Sequence, residues 1–267
     1  MAKKEVFGTK EWAAENADDC RGCLHNCWYC YASANNARFK IRSISERDKL
    51  EFYDDKILKL LKKAPTTVMY PTQHDIHLDT INISIITIAR LIIARHKVLI
   101  VSKPRLECID KICHVFKGSG EDKIKFRFSI GSPNDETLKF WEPNAPDLAD
   151  RTASLKTAFR HGYETSVSCE PLLTANIEEI KEMVNTSSPY VTDSIWIGKP
   201  NMLKSRLTLN QAPADVKAEG NRLMLALSDV RIMEIYEALK DNPIIKWKDS
   251  IKKIVGIERP TTAGKDI

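Results

Sequence analysis

Long apolar runs are missing from this 267-residue chain. The most apolar stretch, Ile81 to Val101, is broken by Arg90, Arg95, His96 and Lys97, which argues against a membrane span. The first residues, Met1-Ala-Lys-Lys-Glu5, have no apolar segment behind them, so no secretory leader is expected. Internal repeats, low-complexity segments and heptads are also lacking, and with them the case for a solenoid or a coiled coil. No glycine-rich dinucleotide fingerprint appears, so the usual mark of an open nucleotide-binding sheet is absent. Charge is only weakly one-sided, at +5. That balance allows a polyanionic partner without requiring one. What the chain does have is seven cysteines. Without a leader they point to a reducing, cytoplasmic compartment and to metal or catalytic use, not disulfides.

Behind the N-terminus, strand-like apolar runs alternate with amphipathic helical stretches. A helix is expected from Ser45 to Lys63, capped by Ser45 and with Ile57, Leu58, Leu60 and Leu61 on its apolar side. Strands are expected over 66–70, 97–102, 124–130, 163–169 and 193–198, and a short, poor one over 12–19. Between them lie helices from Asp79 to about His96, to about Phe116, from Asp147 to His161 with Gly162 as C-cap, and over 177–184. A long helical tail runs from about Ala214 to Lys240, followed by a basic segment. Strands separated by helices make a parallel sheet with right-handed crossovers. A full eight-unit barrel typically takes about 250 residues, so six units with a tail fit this length better. The expected fold is α/β, a partial (β/α)6 TIM-type barrel over residues 1–200, with a C-terminal helical extension over 201–267 packed on it.

Four cysteines, Cys20, Cys23, Cys27 and Cys30, crowd into one short segment. Thiols this close converge on a metal. A structural zinc site usually separates its two Cys pairs by a longer loop, although one tetrahedral ion remains an alternative here. The bacterial ferredoxin order C-x2-C-x2-C-x3-C-P fails, because this loop reads x2-x3-x2 and continues into Tyr31. Nearby, His74, Asp75, His77 and Asp79 have metal-ligand chemistry but form only a loose set; His77 and Asp79 read as surface loop and helix cap.

Cys23, Cys27 and Cys30, spaced C-x3-C-x2-C with Tyr29 before the last, resemble the cluster loop of radical S-adenosylmethionine (SAM) enzymes. The resemblance extends over about 200 residues and is similar to the spore photoproduct lyase-like branch. Its motifs are Gly22-Cys-Leu-His-Asn-Cys-Trp-Tyr-Cys-Tyr-Ala32, Val98-Leu-Ile-Val-Ser-Lys103, Phe128-Ser-Ile-Gly-Ser132, Trp141-Glu-Pro-Asn-Ala-Pro146, Arg151 and Phe159-Arg-His-Gly-Tyr163. It implies that Cys23, Cys27 and Cys30 hold a [4Fe–4S] cluster whose fourth iron binds SAM. Asp75 would then accept from the SAM amino group, Lys103 pair with its carboxylate, Ser129 bond the ribose, and Tyr29 lie at the cofactor. The implied activity is reductive cleavage of SAM to a 5′-deoxyadenosyl radical, which acts on an unidentified substrate. An electron donor such as flavodoxin or ferredoxin is the implied partner. Cys20 is left over, as a bystander thiol, a residue behind the cluster ligands, or a ligand of a resting cluster without SAM; His25 and Asn26 are either donors to cluster sulfurs or solvated loop residues.

The lyase's own cysteine hydrogen donor has no counterpart in Tyr70-Pro-Thr-Gln-His-Asp75, which argues against the same repair reaction. Cys169, at the end of the fifth expected strand, is either the replacement donor or a small buried hydrophobe. Cys108 and Cys113, five apart on a helix, do not share one face well and form no auxiliary cluster pattern with Cys169. Basic residues gather in 38–63 and in Lys246-Trp-Lys-Asp-Ser-Ile-Lys-Lys253. The second run is either a phosphate-binding surface with Trp247 as a stacking platform, or a helix with Trp247, Ile251 and Ile254 packed inward and its lysines in water. Two function classes therefore stand: a radical SAM enzyme with nucleic acid among its candidate substrates, and a non-enzymatic iron–sulfur or zinc module associated with nucleic acid.

Overall fold

The computed structural model describes residues 5–53 and 65–265. In chain order the elements are α1 (Thr9–Trp12), β1 (Glu15–Asn16), β2 (Cys20–Arg21), α2 (Tyr31–Arg38), β3 (Glu51–Phe52), β4 (Thr67–Tyr70), α3 (Ile81–Ile93), β5 (Lys97–Ser102), α4 (Leu106–Val115), β6 (Ile124–Ser129), α5 (Asp135–Trp141), α6 (Leu148–Arg160), β7 (Glu164–Cys169), α7 (Ile177–Ser187), β8 (Ile195–Ile197), α8 (Leu203–Leu209), α9 (Ala214–Ala226), α10 (Asp229–Leu239), β9 (Ile245–Trp247) and α11 (Asp249–Val255). Seven strands form one sheet in the order β1-β4-β5-β6-β7-β8-β9, every neighbouring pair parallel. Helices between successive strands supply the crossovers that parallel pairing demands.

Most expected elements are present. Asp147 caps α6 by accepting from the Asp150 amide, and Gly162 ends it at φ 82°. Three expectations change. Only a 3-10 turn at Ile44–Glu46 and strand β3 occupy the first part of the helix expected from Ser45; its remainder, with Ile57 to Leu61, lies outside the described residues. Asp79 does not cap α3; it pairs with His77, and Thr80 bonds back to His77 instead. Cys108 and Cys113 are both buried with Ile109 and Ile112, because the inner face of α4 is broad enough to take both.

The tail departs further from expectation. Its helix breaks at Leu227, where Ser228 caps α10 through the Arg231 amide. The chain then adds β9 to the sheet beside β8, so a boundary at residue 200 would divide the sheet. In the basic run Trp247 and Ile251 are buried, as the packed reading requires, and Trp247 meets Tyr236 of α10 at 5.2 Å. Lys248 and Lys252, however, are buried rather than solvated. Trp247 is therefore no stacking platform.

Register separates the two faces of the sheet. Phe126, Phe128, Val167, Ile195, Ile197 and Trp247 share the helix-covered face. Arg127, Ser129, Ser166, Ser168, Trp196 and Lys246 share the inner one. There the Arg127 guanidinium lies 4.6 Å from the Trp12 ring and 5.1 Å from Trp196. Trp12 belongs to α1, whose Glu11 pairs with Lys248 beyond β9 at 2.6 Å. The helix before the first strand is thus tied to the segment after the last.

Trp247→Ala should cost about 3–5 kcal/mol, the usual range for emptying a buried aromatic site. Leu225→Ala, at an exposed position, should stay within about 0.5 kcal/mol. Urea unfolding of the two variants checks the contrast.

Candidate active site

In parallel α/β folds functional groups gather at the carboxyl ends of the strands. Here the loop between β2 and α2 carries Cys23, Cys27 and Cys30 across that end. Gly22 starts it at φ 94°, and a Cβ there would stand 2.0 Å from the Lys49 carbonyl oxygen, so only glycine fits. The loop has no regular ladder of its own, and distant residues hold it. The Asn210 side chain, at the end of α8, donates to the carbonyls of Trp28 (2.8 Å) and Cys30 (2.9 Å). Asn144 donates to Leu24, and its amide to His25. The Trp28 amide donates to the Trp141 carbonyl.

Two carboxylates, Glu142 buried and Asp75 half-buried, complete the attachment. Glu142 accepts from the Tyr29 hydroxyl on one oxygen and pairs with Arg151 on the other. Arg151, fully buried, also donates to the carbonyls of Pro146 (2.8 Å) and Ser129 (3.1 Å). Burial would raise the Glu142 carboxyl, but Arg151 and Lys103 outweigh it and hold it below its ordinary value. Asp75 accepts from Ser102 Oγ (2.8 Å) and the Lys103 amide (2.7 Å) on Oδ1, and from His25 Nδ1 (3.0 Å) on Oδ2. Lys103 Nζ stands 3.8 Å from the same Oδ2. Despite burial, Lys103 and His25 hold Asp75 well below the usual carboxylate range. Burial likewise opposes the Lys103 charge, yet Cys27, Tyr29, Asp75 and Glu142 together raise it well above an ordinary lysine.

The three thiols face one another's fields. Burial pushes Cys23 up to about 12, with Asp75 and Cys30 adding to the shift. Burial also raises Cys27 well above an ordinary thiol, relieved in part by Lys103. Backbone N–H groups of His25 and Asp75 point at Cys23, and the Ser33 amide at Cys30 Sγ (3.4 Å). A narrow hollow opens between Cys23 and Cys30, with Gly22, Ser33, Arg42 and Gln73 on its walls. Backbone donors aimed at the Cys23 and Cys30 sulfurs favour thiolates, the form in which cysteine binds a metal. A single tetrahedral zinc would draw its sulfurs to about 3.8 Å of one another. Among the described residues, the sets of metal-ligating atoms that lie within 4.8 Å of one another do not bring the three cysteines together. Their wider spread fits a polynuclear cluster better than one ion.

Of the residues singled out in the sequence, Tyr29, Asp75, Lys103 and the three cysteines come together; Lys103 Nζ lies 5.7 Å from the Tyr29 ring centre. Ser129 is on the inner face at the end of β6. His25 is buried against Asp75, not solvated. Cys169 ends β7 as expected, but the alternation turns it to the helix-covered side with Val167 and Ile197, the face opposite Ser129. That placement gives a hydrogen-donor role no support. Glu142 and Asn210 were not singled out as site residues; Glu142 lies inside a quoted motif, while nothing local marks Asn210. Arg206 of α8 stands at the mouth, 5.8 Å from the Tyr31 ring centre and near Cys30 and Glu170.

The radical SAM superfamily model matches residues 19–186. No curated protein sequence matches the chain. Among solved structures, a spore photoproduct lyase point mutant superposes with a TM-score of 0.57 at 14% identity, covering 92% of this chain and 79% of that one. A second lyase mutant, with bound AdoMet and dinucleoside spore photoproduct, gives 0.58 at 14% identity over 86% and 74%. Streptococcus suis SuiB bound to S-adenosylmethionine gives 0.53 at 11% identity, over 94% of this chain and 54% of that one.

Arg151→Met should destabilise the protein by about 3–5 kcal/mol, because Glu142 is left buried without its cation. Chemical denaturation checks this, and an unchanged midpoint would place the loop's anchor elsewhere.

Proposed function

Because the chain belongs to the radical SAM superfamily, an enzyme family, we propose that Cys23, Cys27 and Cys30 hold a [4Fe–4S] cluster and that Lys103, Asp75, Ser129 and Tyr29 bind SAM beside it. When both are bound, the cluster supplies one electron and SAM a 5′-deoxyadenosyl radical that takes a hydrogen from the substrate. The observation that carries this reading is the union of three neighbouring loop thiols, Cys27 buried and Cys23 and Cys30 half-buried, with a raised lysine and a lowered aspartate at the strand ends.

This chain's residues bind, orient and exclude water. Lys103 presents the cation for the methionine carboxylate. Asp75 has Oδ1 filled by Ser102 and the Lys103 amide, so the SAM amino group has only the remaining direction on Oδ2. Ser129, its carbonyl held by Arg151, offers its hydroxyl to the ribose from the inner face. Glu142 keeps Tyr29 in place, and Asn210 closes the loop from the far side of the mouth. The substrate enters past Arg206, which has no carboxylate within salt-bridge distance among the described residues; a phosphate of a nucleic acid is a group it suits. A flavodoxin or ferredoxin would supply the electron.

Replacing any one of Cys23, Cys27 or Cys30 by Ala should abolish the iron–sulfur absorbance of anaerobically reconstituted protein, whereas Cys20→Ala should keep it. Stoichiometric zinc with no iron in the three-cysteine site would sink the assignment. Lys103→Ala should weaken SAM binding roughly ten- to a hundred-fold, the loss of a charge-assisted contact; calorimetry on cluster-loaded protein measures it. Dithionite-reduced protein should release 5′-deoxyadenosine and methionine from SAM, read by chromatography. SAM left intact by the reduced, loaded protein would reject the activity.

A further inference from the structure

Cys20 is not part of the cluster loop's thiol group. It is fully buried in β2, and its Sγ lies within 4.8 Å of a carboxylate oxygen of Asp19 and a ring nitrogen of His74, both buried as well. The three residues come from two places in the chain: Asp19 and Cys20 precede the loop, and His74 follows β4. Asp19 Oδ1 and His74 Nε2 stand 2.9 Å apart, yet without the alignment of a hydrogen bond. Two electron-rich atoms this close in a dry setting need a positive charge between them, either a proton or a metal. A proton favours a straight N–H···O line, and that is not the arrangement here.

The surroundings prepare the same three atoms. His74 Nδ1 lies 3.0 Å from the Asp75 carbonyl oxygen, so Nδ1 carries the proton and Nε2 presents its lone pair to Asp19 and Cys20. On Asp19 the other oxygen, Oδ2, already accepts from Tyr70 and from Thr87 (2.8 Å), which leaves Oδ1 to face His74. Carbonyl–imidazole and hydroxyl–carboxylate contacts of this kind orient ligands around metals. We propose that Asp19, Cys20 and His74 form a second metal site, separate from the cluster, for a divalent ion of borderline softness such as zinc. Sulfur, imidazole and carboxylate donors suit that ion, and a water completes the tetrahedron. The charges balance: Zn2+ with one thiolate, one carboxylate and a neutral imidazole is uncharged, so burial does not oppose it. Cys20 binds as the thiolate, so loading releases its proton while His74 binds through the Nε2 lone pair, and nothing is oxidised or reduced. None of the three ligands is shared with the cluster loop's cysteines.

Metal analysis of the full, anaerobically reconstituted chain should find stoichiometric zinc beside the cluster iron. A full-length variant with Cys23, Cys27 and Cys30 all replaced by Ala should still bind Co2+ in zinc's place, with visible tetrahedral d–d bands and a thiolate charge-transfer band. Cys20→Ser or His74→Gln in that background should abolish the thiolate-bound cobalt spectrum, and Cys169→Ser should leave it unchanged. Tyr70→Phe should weaken the metal about 10–100-fold, the usual effect of losing a ligand's supporting hydrogen bond. Three outcomes overturn the site: substoichiometric zinc in the reconstituted chain, cobalt bound without a thiolate band, or a thiolate band that survives Cys20→Ser. The first two measurements leave Cys20 and His74 intact, so they decide the question even where those substitutions prevent folding.

Discussion

Glu142, buried between Tyr29 and Arg151, is the contact on which the site depends. A cysteine loop has to hold three soft donors in one geometry with almost no backbone ladder to keep them there. Tying an aromatic residue of that loop to a carboxylate three crossovers further along the chain turns the rigidity of the sheet into rigidity of the loop. The arrangement works only as a whole, since a buried carboxylate without its guanidinium carries a desolvation penalty it cannot offset. Asp75 does the same on the other flank, joining His25 of the loop to Lys103 at the end of β5. Both carboxylates are held ionised against burial, so the loop sits between two fixed negative charges and the cations that balance them.

The inner face of the sheet carries Met69, Leu99 and Val101 on β4 and β5, while from β6 onward cations are layered on aromatic rings. Arg127 between Trp12 and Trp196, and Lys248 3.9 Å from the Trp12 ring centre, let charged groups pack densely beside apolar ones. The same packing treats the open sides of a partial barrel. β1 and β9 lie at opposite edges, and α1 bridges them through Trp12 and the Glu11–Lys248 pair. Such cover matters because an exposed parallel edge is a template for unwanted pairing.

Much of this was legible locally. Strands β4, β5 and β8 are short apolar runs and β6 alternates apolar with polar residues, and the caps at Asp147 and Gly162 are stated by residue type. The cysteine spacing and Lys103 at a strand end needed nothing but position along the chain. Illegible residues share one property: their partners lie far away in sequence. Asn210 clamps a loop about 180 positions upstream, and Asp19 meets His74 only because β1 and β4 pair side by side. β9 was hidden for another reason: three residues within a basic run carry too little alternation to announce a strand. For Cys169, end-of-strand position alone left open which face it takes, and pairing with its neighbours turned it away from the inner one.

By itself, then, the sequence determined the alternation of strands and helices, the three-cysteine loop, and the residue types waiting at the strand ends. These follow from local rules of periodicity, capping and spacing, which act over a few residues. The tertiary structure alone decided which charges became partners, that Cys20 stands apart with Asp19 and His74, and that lysines of the basic tail are buried. Those outcomes depend on desolvation and on pairing across the sheet, and neither can be assigned to a residue before the chain has closed around it.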